Sequence, residues 1–273
     1  MLEEIAHCSL MQEKRFLVMG VQYSNIILHD VDQEEVVRYL TERGRKAYVS
    51  PTIGRITAVY DEALNGFEAS ELAELKKLDQ SAETLLRQYH YGNEAVLVCL
   101  TSHLSRQFDC VALGTFVNDG HSLWYHLREN GALLDEYTTH ASPDWKVGEF
   151  PNTVTGVQIK GGNAGKICRA FQVLEAVEQV EIILRKPNGN SQIPLHATNR
   201  YQALLQTENY WSPIFRHEAL ARALKIRPCW TVGIDYKCIV YGDVSACFEF
   251  DDDDPSLDEV FQEMKSSFIP SKD

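Results

Sequence analysis

Apolar and polar positions alternate along most of this chain with periods that change from two to three or four, and the changes mark its elements. Tyr23–His29 (YSNIILH) is rich in strand formers. Asp32-Gln-Glu-Glu35 follows, with an aspartate at an N-cap and a glutamate three residues on, which predicts a helix carrying Val36, Val37 and Leu40 and stopping at Gly44. Lys46–Ser50 and Arg55–Tyr60 are expected as two strands joined by a turn at Pro51–Gly54. Leu72, Leu75, Leu78, Ala82, Leu85, Leu86 and Tyr89 then recur at steps of three and four, predicting a long helix that breaks near Asp79 and closes at Gly92. Ala95–Leu100 is continuously apolar and is expected as a buried strand, with a short helical turn over Ser102–Phe108.

Val111–Val117, Ser122–Arg128 and Ala132–Tyr137 form the clearest pattern, separated by Asn118-Asp-Gly120 and Asn130-Gly131, both hairpin signals. They predict an antiparallel meander. A two-residue turn at Asn130-Gly131 would set Leu127 opposite Leu134, Trp124 opposite Tyr137 and His126 opposite Asp135. Leu123, Tyr125, Leu127 and Leu134 would line a core face, and Trp124, His126, Asp135 and Tyr137 the other.

Beyond a loop-like stretch at His140–Lys160, Val154–Lys160 reads as a strand and Asn163 as the cap of a helix carrying Ile167, Ala170 and Phe171. Further helices are expected over Val177–Leu184, Arg200–Glu208 and Ile214–Leu224, and a closing strand over Trp230–Tyr241. In the tail, Ser256 with Glu259 makes a capping box, and Leu257, Val260, Phe261, Met264 and Phe268 fall on one helical face. The resulting fold class is α+β: a mixed sheet with a three-stranded antiparallel meander, then a helix-rich second half. Its expected divisions are a disordered N-terminal extension (1–18), an α/β domain (19–147), a helix-rich half with a closing strand (148–248) and an acidic tail with an amphipathic helix (249–273). Residues 1–18 lack a clear period and Met19 precedes the first strand pattern, so an over-extended start is expected.

Charge sharpens this picture at the tail. The 273 residues carry 26 Lys and Arg against 39 Asp and Glu, a net −13, which argues against nonspecific binding to nucleic acid or anionic membranes. Glu249–Asp273 holds nine acidic residues against Lys265 and Lys272, so about half of that charge sits in the tail. Seven cysteines without a CxxC pair fit a reducing, cytoplasmic compartment better than a disulfide framework or a zinc site. No stretch approaches the roughly 18 apolar residues of a membrane span.

Candidate chemistry is sparse. A His126–Asp135 pair could serve as a general base held in one tautomer, with Trp124 and Tyr137 beside it for a flat ligand. His121, five residues from His126, would point to the opposite face, which weakens a two-histidine metal site. Gly161-Gly-Asn-Ala-Gly-Lys166 follows a strand and opens a helix, where backbone N–H groups can hold an anion; Gly161, Gly162, Asn163, Gly165 and Lys166 are the candidate contacts. It is not a P-loop: three residues separate Gly161 from Gly165, and Ile167 stands where Ser or Thr would hold magnesium. Cys99, His103 and Cys110 are close in sequence, but packing explains them better than a thiol–imidazole pair. The tail stripe Leu257, Val260, Phe261, Met264 and Phe268 either docks on its own domain or enters a partner's groove, with Asp251–Asp254 steering it toward a basic surface. Consecutive aspartates lack the spacing of a calcium loop.

Gly161–Phe171 (GGNAGKICRAF), Ala219–Leu224 (ALARAL) and Trp230–Asp235 (WTVGID), after the Trp124–Tyr137 meander, together resemble a group of uncharacterised bacterial proteins over roughly Met19–Tyr241. That resemblance implies no activity and transfers no role to Lys166. The functional expectation is a cytoplasmic, non-catalytic protein-binding or regulatory module without cofactor or metal, with a protein partner at the tail. The alternative is a small enzyme or anion-binding protein using the His126/Asp135 face or the Gly161–Lys166 turn.

Overall fold

The computed structural model describes residues 22–66, 69–78, 81–89, 92–118, 122–141, 146, 158–186, 213–241 and 256–267. Eight strands form one sheet: β1 (Tyr23–His29), β2 (Ala47–Val49), β3 (Ile56–Asp61), β4 (Val111–Asn118), β5 (Ser122–Glu129), β6 (Ala132–Ala141), β7 (Gln158–Gly161) and β8 (Lys265–Ser266). Their spatial order is β7-β6-β5-β4-β1-β3-β2-β8, and every pairing is antiparallel. The architecture is thus α+β as expected, but the sheet is wholly antiparallel and larger than the predicted meander, which forms its β4-β5-β6 portion. β7 comes from the stretch 148–248 and β8 from 249–273, and both extend this one sheet.

Period-two alternation splits each central strand between two cores. Tyr23 and Ile27 of β1, Leu113 and Val117 of β4, and Leu123, Tyr125 and Leu127 of β5 face one side. There they meet α5 (Ala164–Ala170), α6 (Val177–Arg185) and α7 (Pro213–Ala223), with Tyr236 of α8 (Tyr236–Tyr241) and Val260 of α9 (Leu257–Glu263). Ile26, Leu28, Ala112, Phe116 and Trp124 face the other side, under α1 (Gln33–Glu42), α2 (Ala69–Leu78), α3 (Ala82–Gln88) and α4 (Asn93–Gln107). The result is a sheet between two helical layers.

Most predicted elements form. The long periodic helix is described as two pieces, α2 and α3, and Asp79, where a break is expected, lies outside the described residues. Asp32 takes the N-cap place of α1 without a side-chain cap bond; Thr52 Oγ1 accepts the Gln33 N–H instead, at 2.7 Å. Two strands are corrected to helices. Ala95–Leu100 and the turn after it are one helix, α4, in which every residue from Ala95 to Ser105 is buried; a helix buried all round has no polar face to reveal its period. Trp230–Tyr241 is a turn followed by α8, because Gly233 adopts a left-handed φ of 75° and Asp235 Oδ1 accepts the Cys238 N–H at 2.8 Å. The expected Arg200–Glu208 helix and residues 1–18 lie outside the described residues.

The tail folds back on its own chain. Ser256 and Glu259 form the predicted capping box, Val260 is fully buried, and Phe261 and Met264 pack against the same core. β8 then pairs with β2, and Ser267 Oγ accepts the Ala47 N–H at 2.9 Å and donates to the Arg45 carbonyl at 2.6 Å. Val260, Phe261 and Met264 of the apolar stripe therefore have an occupant, the protein's own core. Phe268 lies outside the described residues, as do Asp251–Asp254.

Candidate functional site

The meander brings His126 and Asp135 to opposite faces of the sheet. Asn130 and Gly131 have φ of 47° and 76°, the expected turn, and Glu129 pairs Ala132 and Arg128 pairs Leu133. Between Leu127 and Arg128 the register then shifts: Leu127 faces Asp135, His126 faces Glu136, Tyr125 faces Tyr137 and Trp124 faces Thr138. The extra residue, Leu134, is a β-bulge, and it exchanges the faces of everything beyond it relative to a count made from the turn.

His126 consequently sits in a closed polar cluster under α3. It is 0% exposed. Arg128 Nε lies 3.3 Å from its Nδ1 and Arg128 Nη2 3.4 Å from its Nε2, which also meets the Tyr89 hydroxyl at 3.0 Å. Trp124 Nε1 donates to Glu136 Oε1 at 2.9 Å. Burial, with the Arg128 charge adding to it, holds the His126 pKa well below its ordinary value, so the ring is neutral. Burial likewise raises the Tyr89 hydroxyl, helped by the Glu136 carboxylate. None of these groups lines the groove described below. The cluster satisfies its own polar atoms inside the core, which is what a structural network does.

Asp135, carried to the other face by the bulge, meets the Gly161–Lys166 turn. Its Oδ2 accepts the Asn163 N–H and the Tyr125 hydroxyl, each at 2.7 Å. Asn163 Oδ1 caps α5 through the Lys166 N–H at 2.9 Å, and Lys166 Nζ donates to the Leu134 carbonyl at 2.8 Å. Arg185 donates to the carbonyls of Gly161 and Gly162 at 2.7 and 2.5 Å. The glycine turn thus already faces an anion, the carboxylate of Asp135, and Lys166 is tied to backbone; Gly161, Gly162 and Gly165 serve the connection from β7 to α5. Replacing Asp135 with alanine strands the Asn163 N–H and the Tyr125 hydroxyl, so a loss of about 1–3 kcal/mol is expected in urea denaturation. Asp135→Asn, which keeps one acceptor, is expected to lose about half of that.

Cys99 and His103 stand one turn apart in α4 but bond different partners. Cys99 Sγ lies 3.6 Å from the Ala82 carbonyl, whereas His103 Nε2 bonds the Tyr39 hydroxyl. Burial pushes the Cys110 thiol up to about 12, far from a thiolate. His121 lies outside the described residues. Among the described residues no group of three or more His, Cys, Asp or Glu could hold a metal ion, and no helix is long and apolar enough to cross a membrane.

A surface feature lies beside the Gly161–Lys166 turn, with Gly162, Asn163 and Gly165 of the motif in its lining. An open groove of about 830 Å³ is lined by the Gly162–Gly165 turn and by residues of α6 and the turn before it, among them Leu174, Val177 and Ile182. Leu174 is 60% exposed and Ile182 49%. Glu175, Glu178 and Glu181 share its wall with Arg185. The groove is held open by fixed surroundings: Val180, Ile183 and Leu184 are buried in the core, Tyr137 donates to the Leu184 carbonyl at 2.9 Å, and the buried Arg216 guanidinium bonds the carbonyls of Ile183 and Lys186. Lys225 pairs with Glu175 at 2.7 Å and Arg185 with Glu181 at 3.0 Å, while Glu178 has no ion pair among the described residues. A second sequence signal existed: the stripe Val177, Val180, Ile183, Leu184 leaves Ile182 on the polar side of its helix.

Comparison with protein-family models, curated proteins and solved structures found no match to the chain.

Proposed function

We propose that this protein is a non-catalytic protein-binding module whose partner site is the groove along α6, and that it works in the cytoplasm. The observation that carries this reading is the pairing of two exposed aliphatic side chains, Leu174 and Ile182, with an acidic wall on a rigid helix. Isolated exposed leucines are ordinary, but two of these side chains flanking one concavity make a place for apolar anchors. Lys225 and Arg185 pair with Glu175 and Glu181, so Glu178 is the unpaired charge of the wall, and the complementary partner is a segment presenting a Lys or Arg there between large apolar residues. The five described cysteines are free and buried, which suits a reducing compartment. The reading needs no cofactor, metal or membrane, and it moves the partner surface from the tail to α6.

A peptide-display selection on the immobilised full chain tests this. Enriched peptides are expected to combine Lys or Arg with Leu, Ile, Phe or Trp. Leu174→Asp with Ile182→Asp, both on the surface, should weaken them by about 100-fold or more, and Glu178→Lys by about three- to tenfold. Acidic or polar winners, or binding indifferent to the double substitution, would reject the groove.

A further inference from the structure

The groove residues contributed by α6 and the turn before it have the spacing of a helix–helix interface. Leu174, Val177, Glu178, Glu181, Ile182 and Arg185 recur at alternating steps of three and one, which gathers them on one face of the helix, away from the Val180, Ile183 and Leu184 face that enters the core. Glu178, which has no ion pair among the described residues, stands one turn from Leu174 and one turn from Ile182, about 6 Å along the axis in each direction. A complementary segment must therefore set a cation between two apolar side chains about 12 Å apart.

Two chain conformations meet that requirement: a helix with the three residues at four-residue steps, and an extended segment with them at two-residue steps. Backbone chemistry separates them. The peptide groups of α6 are engaged in its own helix, the Gly161 and Gly162 carbonyls accept from Arg185, and the Asn163 N–H donates to Asp135. An extended segment would press its peptide groups against these occupied walls, whereas a helix has already paired its own. A second copy of this chain fits poorly. Two α6 helices packed about a two-fold axis, Leu174 on Ile182, would bring Glu178 against Glu178 and Glu175 against Glu181, and like charges so placed oppose association. We infer, on the reading of the groove as the partner site, that its occupant is an amphipathic α-helix of a different protein, with an apolar, a basic and an apolar residue at four-residue steps laid along α6.

The tightest peptide from the display selection is the probe, titrated against the full chain. Its far-UV circular dichroism is expected to gain helix on binding. A lactam bridge between residues four apart on its outer face should tighten binding about three- to tenfold, and a proline in the middle of that face should weaken it about tenfold or more. Exchanging its central Lys or Arg for Glu should cost about tenfold against the natural chain and be recovered against Glu178→Lys. Tolerance of the proline, no gain of helix or no recovery in Glu178→Lys, with binding still lost in Leu174→Asp with Ile182→Asp, would overturn the helical occupant and leave the groove as partner site. Binding indifferent to that double substitution, or a selection without binders, would reject the groove itself and the helix with it. Sedimentation showing a dimer of the full chain that the double substitution dissociates would put a second copy in the groove and overturn the inference.

Discussion

Gly161→Ala is expected to destabilise the protein by about 3–5 kcal/mol, measured by urea denaturation at neutral pH. Gly161 ends β7 with a φ of 68°, a conformation that disfavours any residue with a Cβ. A Cβ there would lie 2.1 Å from the Glu136 carbonyl oxygen, and a backbone atom in mid-strand cannot step aside. Relief would require β6 and β7 to separate just where Asp135 and the Asn163 N–H meet, so the damage spreads to that bond. Gly165→Ala supplies the contrast within the same motif. Its Cβ would meet only Asn163 Oδ1 at 3.4 Å, and the position is helical, so a gain of roughly 0.5–1 kcal/mol is expected. An anion-binding role for this turn would not distinguish the two glycines in the absence of ligand; a scaffolding role does.

Acid is expected to unfold the protein through histidines held neutral in its core. His217, between the Tyr23 hydroxyl at 2.8 Å and Thr231 Oγ1 at 3.4 Å, has its pKa lowered by burial to about 3. His126 is lowered well below its ordinary value for the same reason. The unfolded chain takes up these protons near pH 6.5, so the stability conferred by neutral, bonded rings is complete above about pH 6.5 and falls as the pH drops toward 3. His217 contributes one proton's worth of slope in that window, and His126 a slope of the same sign. Urea midpoints followed from neutral pH downward should show this slope before ordinary carboxylates titrate. His217→Gln should flatten it by about one proton's worth, and an unchanged slope would show that His217 is not held neutral.

These two predictions concern contacts of very different legibility. The strands β4 and β5 declare themselves by the turn residues that bound them and β1 by its strand formers, although each is buried on both faces and shows no polar alternation. The helix α4 does not, because burial on every side erases its period. A single bulged residue, Leu134, sends Asp135 to the face opposite its expected one, and nothing in the local composition announces it. The capping box at Ser256 and Glu259 is a local signal and survives intact, while the destination of the helix it starts depends on β2 and a core formed far earlier in the chain. Asn65 and Asp235 are 170 residues apart, and their bond follows only from the sheet that brings the turn after β3 beside α8. Of the proposed surface, Gly162, Asn163 and Gly165 were marked beforehand by their motif, though for an anion, and Ile182 as an aliphatic residue on the polar side of its helix.

His126, Asp135 and the glycine turn take part in hydrogen bonds that hold the fold together, and the proposed partner surface is the groove along α6. Backbone amide chemical shifts of the full chain, followed during titration with a basic peptide from the display selection, test that placement most directly. The account predicts perturbations centred on Gly162–Gly165 and on Leu174–Arg185. Perturbations centred instead on α9 and β8, or elsewhere on the sheet, would contradict it.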